Sequence, residues 1–300
     1  MSNDAQCAAP LEGTRIIEFA GIGPGPFACM MLADMGAEII RIDRPVSDAN
    51  SESNNAQDFM LRGRKSVALD LKKPAAIEIA LTLIEQADGV VEGYRPGVME
   101  RLGLGPDICL NKNPKLVYGR MTGWGQHGPL AKAAGHDLNY IALSGALWAS
   151  GHKDQTPTFS MNLLGDFGGG AMYLAYGMVC GLLKAHSTGY GDVVDASIVD
   201  GTSNLMTFIH ARRAMGEWQD ERESNLLDGG APWYAVYQCA DDHWVTIAAL
   251  EPQFWTCLLE QLQLKDEILV NRDDRSNWPA IRDRLASLFK SESRQYWVDL

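Results

Sequence analysis

Cations are scarce in this chain of 300 residues. Its 26 lysines and arginines face 38 aspartates and glutamates, for a formal net charge of −12. That balance argues against a nucleic-acid surface or attraction to an anionic membrane. A polyanionic ligand remains open only where a few Arg and Lys cluster locally. Cysteine is sparse as well. Cys7, Cys29, Cys109, Cys180, Cys239 and Cys257 are scattered, with no C-x-x-C pair and no histidine at metal-ligand spacing. No metal site or disulfide framework is expected, and free thiols suit a reducing, cytoplasmic compartment. Long apolar runs are missing too. The stretch near 171–183 is interrupted by Gly177 and Gly181, is too short to span a bilayer, and reads as a core helix. The opening MSNDAQCAAP has no basic n-region and no apolar run, so no signal peptide is expected. Internal repeats and low-complexity segments are lacking. What remains, 46% hydrophobic and 21% charged, suits a globular protein with a sizeable core.

The first half alternates strand and helix. Strands are expected at Arg15–Phe19, Ala37–Ile42, Ser66–Leu69, Gly89–Glu92 and Leu116–Arg120, and helices at Phe27–Met35 and from Pro74 to about Gln86. The polar residues 45–57 read as a mobile loop. This alternation predicts an α/β fold, a Rossmann-like doubly wound parallel sheet. Helices are expected near His136, after Asp166, and from about Ile198 to Met215. Beyond them, Trp233–Tyr237 and Trp244–Ala248 flank Asp241-Asp242 as a hairpin, followed by helices at about 251–263 and 278–290. The expected organisation is a large α/β domain over 1–215, a linker at 216–231 and a small α+β domain over 232–300. The ending at Tyr296–Leu300 reads as early, partway through a helix.

Gly21-Ile22-Gly23-Pro24-Gly25-Pro26 follows a strand and opens a helix, and Asp43 ends the next strand. The layout imitates a dinucleotide fingerprint. Its chemistry does not fit, because a pyrophosphate cradle needs free N–H groups at the helix start and Pro24 and Pro26 have none. A Rossmann-like layout with another ligand is the better reading, and an NAD enzyme stays a remote alternative.

The most informative feature is a pair of glycine-framed phrases, Gly135-His136-Asp137-Leu138-Asn139-Tyr140 and Gly165-Asp166-Phe167-Gly168-Gly169-Gly170. Imidazole and carboxyl are the side chains best suited to trade a proton near neutral pH. Taken singly, His136 could merely start a helix with Asp137 as its cap, and Asp166 could be a charge favoured by a helix dipole. A dipole would lower the Asp166 pKa, so proton transfer requires an apolar wall, for which Phe167 and Met161 are candidates. His127 in Gly125-Gln126-His127-Gly128 is a rival base without a carboxylate neighbour in sequence. His152, His186, His210 and His243 read as structural or surface residues.

Around the pair lie Leu11–Ala20, Gly23–Phe27, Leu32–Ala37, Arg41–Pro45, Arg62–Ser66, Leu69–Lys72 and Tyr94–Gly103. Together these stretches resemble the family III CoA-transferase superfamily. Over nearly the whole chain the α-methylacyl-CoA racemase branch is the most similar, favoured by Gly135–Tyr140, Asn162–Phe167 and Leu250–Phe254. The resemblance implies that His136 and Asp166 are the acid/base residues of an epimerisation of 2-methylacyl-CoA thioesters, and that Glu251 supports His136 by a hydrogen bond. By residue type alone, Glu251 could equally be a first-turn helix acid before Pro252. The resemblance further implies CoA contacts at Arg44, at Leu69, Asp70, Leu71 and Lys72, at Gly93, Tyr94, Arg95 and Arg101, and at Gly135, Asp137, Leu138, Asn139 and Tyr140. CoA is then part of the substrate and no separate cofactor or metal is implied. An interlocked homodimer is also implied, in which Glu251 could serve His136 across subunits. Backbone N–H groups at the Asp166 helix start are expected to meet the enolate-like oxygen. Two alternatives stay open: a CoA-transferase with Asp166 as nucleophile, and an inert acyl-CoA-binding protein.

Overall fold

Six parallel strands form one sheet in the computed structural model, which describes residues 8–45, 58–266, 269 and 271–300. In chain order they are β1 (Arg15–Phe19), β2 (Glu38–Asp43), β3 (Arg64–Ala68), β4 (Gly89–Glu92), β5 (Val117–Thr122) and β6 (Asp192–Ser197). The spatial order is β3-β2-β1-β4-β5-β6. The chain turns from one half of the sheet to the other between β1 and β4, which places a topological switch point there.

Adjacent residues of the central strands face opposite ways, as a pleated strand requires. Ile16, Val91 and Val117 belong to one core with α1 (Pro24–Asp34), while Ile17, Val90 and Tyr118 belong to the other with α2 (Pro74–Glu85). Both faces are therefore covered, and this explains the continuous Ile-Ile and Val-Val runs. The second core also takes Met99 from α3 (Val98–Arg101) and Cys109 from α4 (Pro106–Lys112).

Three features depart from the sequence reading. The sixth strand, β6, was not expected. Asp192, Val193 and Asp195 are exposed at the sheet edge, so its sequence lacks an apolar run. The helix expected near 171–183 is α6 (Met172–Thr188) and passes through Gly177 and Gly181 unbroken. A Cβ at these positions would lie 2.5 Å and 2.6 Å from the methyls of Val194 and Val117, so glycine lets the helix settle on the sheet. The single helix expected from Ile198 to Met215 is two, α7 (Ile198–Leu205) and α8 (Thr207–Ala214). The loop expected at 45–57 lies, from residue 46 onward, outside the described residues.

The chain divides into two compact units. The first holds the residues up to Ala146 together with Ser160–Thr207, and the second holds Leu147–Phe159 together with Phe208–Leu300. The boundary thus falls at Thr207 rather than 215, and residues 216–231 are part of the second unit rather than a linker. Leu147–Phe159 is tied to the second unit by Arg222, with Glu221 and Glu223 pairing Lys153 and His152 beside it. The guanidinium donates to the carbonyls of His152, Lys153 and Gln155 and lies 4.6 Å from the Trp148 ring. The second unit also contains the expected hairpin, β7 (Tyr234–Gln238) against β8 (Trp244–Ala248). It continues with α9 (Pro252–Gln261), α10 (Trp278–Phe289) and α11 (Arg294–Asp299). Trp233, Trp255, Ile281, Leu285 and Phe289 form its core.

Candidate active site

A cavity of about 940 Å³ opens at the C-terminal ends of β1, β2, β4 and β5. That is where a doubly wound sheet leaves a crevice at its switch point. One part of its wall carries His136, Tyr140, Asn162 and Asp166, and another carries Arg44 and Arg95.

His136 is the N-cap residue of α5 (Asp137–Leu143), in extended backbone geometry at φ −135° and ψ 172°. Its N–H donates to the Asn139 side-chain oxygen at 3.0 Å, and the Asn139 N–H returns to the His136 carbonyl at 2.8 Å. These reciprocal bonds fix the helix entry and leave the imidazole exposed at the cavity. Asp137 does not act as the cap. Its buried carboxylate accepts the backbone N–H of Asp166 at 2.7 Å through Oδ1, and its Oδ2 has no partner among the described residues.

Asp166 was expected to precede a helix, but it lies inside one. Leu163–Ala171 winds as a wide π-helical turn that runs on into α6, a distortion often found at functional sites. The turn packs tightly against α7. A Cβ on Gly201 of α7 would sit 1.9 Å from the carbonyl oxygen of Gly169, so the two segments meet backbone to backbone. Half-burial raises the Asp166 carboxyl above the usual carboxylate range. The Asn162 amide hydrogen bond opposes the rise, the Asp137 charge adds to it and His136 opposes it. Phe167 stands by this segment, stacked on Phe27 with centroids 4.4 Å apart. Met161 is 67% exposed and supplies no apolar wall. The N–H groups of Asp166 and Phe167 are committed to Asp137 and to the Asn162 carbonyl, so they cannot serve the substrate oxygen as expected. The amides of Asp137 and Leu138, in the first turn of α5, have no described partner, but neither residue lines the cavity.

The cavity brings together Arg44, Gly93, Tyr94, Arg95, Gly135, His136, Tyr140 and Asp166 from the expected set. The guanidinium groups of Arg44 and Arg95 have no described hydrogen bond or ion pair and are free to meet an anion. Leu69, Asp70, Leu71, Lys72, Arg101, Asp137, Leu138 and Asn139 do not line it. Leu69 is packed in the second core, Asp70 caps its own turn at the Lys72 N–H, and the Asn139 oxygen is engaged by His136. His127 is exposed and away from the cavity lining. Glu251 belongs to the second unit, where it is the exposed N-cap residue of α9. Its carbonyl accepts from Phe254 and Trp255, and its carboxylate has no described partner.

The dinucleotide reading fails on geometry as well as on proline. Gly23 takes φ 69° as N-cap of α1, with Pro24 as the first helical residue. Both oxygens of Asp43 are occupied, one by Arg41 Nε at 2.9 Å and one by Ser66 Oγ at 2.6 Å. The sequence reading also passed over Glu92. It lines the cavity, is buried, and sits opposite Arg120 in the β4–β5 register. Their opposite charges within two apolar strands leave a faint mark in the sequence, but the pairing follows only from the strand register. Among the described residues no cluster of His, Cys, Asp and Glu could hold a metal ion, and no helix is long and apolar enough to cross a membrane.

The family model for CoA-transferase family III matches residues 11–300. The α-methylacyl-CoA racemase of Mus musculus is 41% identical over 290 residues, covering 97% of this chain and 74% of that protein. The racemase of Homo sapiens is 39% identical over the same shares. The crystal structure of Rv3272 from M. tuberculosis superposes with a TM-score of 0.79 at 28% identity, covering 97% of this chain and 80% of that one.

Proposed function

The chain belongs to CoA-transferase family III, and on that premise we propose that it epimerises 2-methylacyl-CoA thioesters by passing one proton between each of two groups and the α-carbon. His136 and Asp166 are the two groups, on opposite faces of that carbon. One removes the proton while the other returns one, and the roles exchange with the hand of the substrate. Both resting forms carry a single proton shared over the pair, so efficient exchange needs similar pKa values. The observation that carries this reading is the raised Asp166 carboxyl on the cavity wall beside His136. A raised carboxyl pKa lies closer to that of an imidazole, as proton exchange between the two requires, whereas a nucleophile benefits from a low one. We assign the anionic end of CoA to Arg44 and Arg95, and the orientation of His136 to Glu251. The chemistry requires no redox or metal group.

We further read the protein as a homodimer. In support, Met172, Tyr176, Val179 and Leu183 leave an exposed apolar stripe along α6 at helical spacing. Sedimentation showing only a monomer would remove that part of the reading.

The test of function is α-deuterium exchange in D2O with a (2R)- or (2S)-2-methylacyl-CoA. The expected result is incorporation with loss of stereochemical purity, reduced roughly 10²–10⁴-fold in His136→Ala. No exchange with any 2-methylacyl-CoA would overturn the reading. Asp166 facing the cavity also suits a CoA-transferase, which would form a mixed anhydride and then an Asp166 thioester. Trapping that thioester with hydroxylamine, with His136→Ala fully active, would select transfer over epimerisation.

A further inference from the structure

Glu92 is the last residue of β4 and faces Arg120 in register on β5. Its Oε1 accepts Arg120 Nε at 3.0 Å and its Oε2 accepts the N–H of Tyr94 at 2.7 Å. The second arm of the same guanidinium, Nη1, reaches Glu100 Oε1 in α3 at 2.8 Å. Between the two carboxylates the chain makes a tight turn, with the Val98 N–H on the Arg95 carbonyl at 3.1 Å and Gly97 at φ 84°. The segment that carries Arg95 is thus gripped at both ends by one buried arginine.

Such a cluster is a poor device for stability alone. The Glu92 and Arg120 side chains are 1% and 7% exposed, and Arg120 Nη2 is buried without a described partner. Desolvating these charges costs about as much as their attraction returns, so an apolar pair would serve a core equally well. What the ions supply is a defined geometry for the residues they hold.

We propose that Glu92 and Arg120 are positioning residues that hold the Gly93–Tyr94–Arg95 turn so that the free Arg95 guanidinium meets an anionic group on the CoA portion of the ligand. The inference rests on the reading of the cavity as an acyl-CoA site. It adds that the affinity of Arg95 is set by a carboxylate that never touches the ligand phosphate.

The experiment is calorimetric titration of the whole protein with free CoA in a double-mutant cycle, run above pH 7 so that Glu92 is ionised. Glu92→Gln keeps an acceptor for Tyr94 and removes the negative charge that faces Arg120. It is expected to weaken CoA binding about tenfold, the scale of one charge-assisted hydrogen bond. Arg95→Ala is expected to weaken binding by a similar factor. Because Glu92 acts through Arg95, Glu92→Gln should cost nothing further in the Arg95→Ala background. Independent, multiplying losses would overturn the inference, as would undiminished binding by Arg95→Ala, and both would leave the acyl-CoA reading standing. Should Glu92→Gln fail to fold, Glu100→Gln probes the same grip from its partly exposed side. A roughly threefold loss is expected there, again absent without Arg95. An unaltered protein that does not bind CoA would overturn the cavity reading and this inference together.

Discussion

The Asp137 carboxylate holds the backbone of Asp166 by its N–H at 2.7 Å and leaves its other oxygen buried and unpaired. One bond therefore fixes the backbone at Asp166, and the same charge adds to the rise of its carboxyl pKa. A Cβ on Gly165 would come within 2.4 Å of Oδ1, the oxygen that accepts the Asp166 N–H, so the glycine before Asp166 makes room for the contact.

Asp137→Asn keeps the acceptor oxygen and removes the charge. The Asp166 pKa should then fall. On the proposed two-group mechanism the active enzyme carries one proton over the pair, and acid inactivates it by adding a second. The acid limb of kcat/KM for α-proton exchange should therefore move to lower pH in the variant, with kcat reduced by less than about tenfold. An acid limb that stays in place or moves upward would show that Asp137 does not act electrostatically on Asp166.

Gly201→Ala should disturb the site without altering any of its side chains. The added methyl meets the Gly169 carbonyl at 1.9 Å, backbone against backbone, so α7 and the wide turn must separate. Overpacking of this kind costs about 1–3 kcal/mol. Thermal unfolding should report that loss. Exchange activity should fall further than the unfolded fraction accounts for, because Asp166 rides on the displaced turn.

Burial lifts the Glu92 carboxyl from 4.5 to about 7. The Tyr94 N–H and Arg120 oppose the rise, and Glu100 adds to it. The folded state thus holds a proton between pH 4.5 and about 7 that the unfolded chain has released, so stability falls as pH rises through that window. The shift corresponds to about 3 kcal/mol. In Glu92→Gln the melting temperature should decline less steeply across the same window than in the unaltered protein. Parallel curves would contradict the assignment.

Arg222→Met should release Leu147–Phe159. The variant gives up three bonds to main-chain carbonyls and the contact with Trp148, together about 2–4 kcal/mol. Hydrogen exchange should quicken in that segment before it quickens in β1 or β4. Unchanged protection there would show that other contacts hold the segment.

The apolar strands, the order in which strand and helix alternate, and the two glycine-framed phrases were all readable in the chain, because buried periodicity and unusual glycine density leave local marks. β6 was not readable, since an edge strand with Asp192 and Asp195 outward has no such mark. The partner of Asp137 was hidden because side-chain chemistry at a helix start suggests a local cap, while the acceptor is used far along the sequence. The Glu92–Arg120 pair became visible only once strand register was known. The same holds for Arg222, whose carbonyl acceptors belong to a stretch with no apolar pattern to link it to the second unit.

That last connection has a consequence for anyone trimming the gene. The segment Leu147–Phe159, which belongs to the second unit, is spliced between the helix of His136 and the turn of Asp166. A stop codon after Thr207 would strand it as a loop stripped of its anchor. Joining Ala146 to Ser160 while ending at Thr207 would instead make the sheet-bearing half one uninterrupted polypeptide.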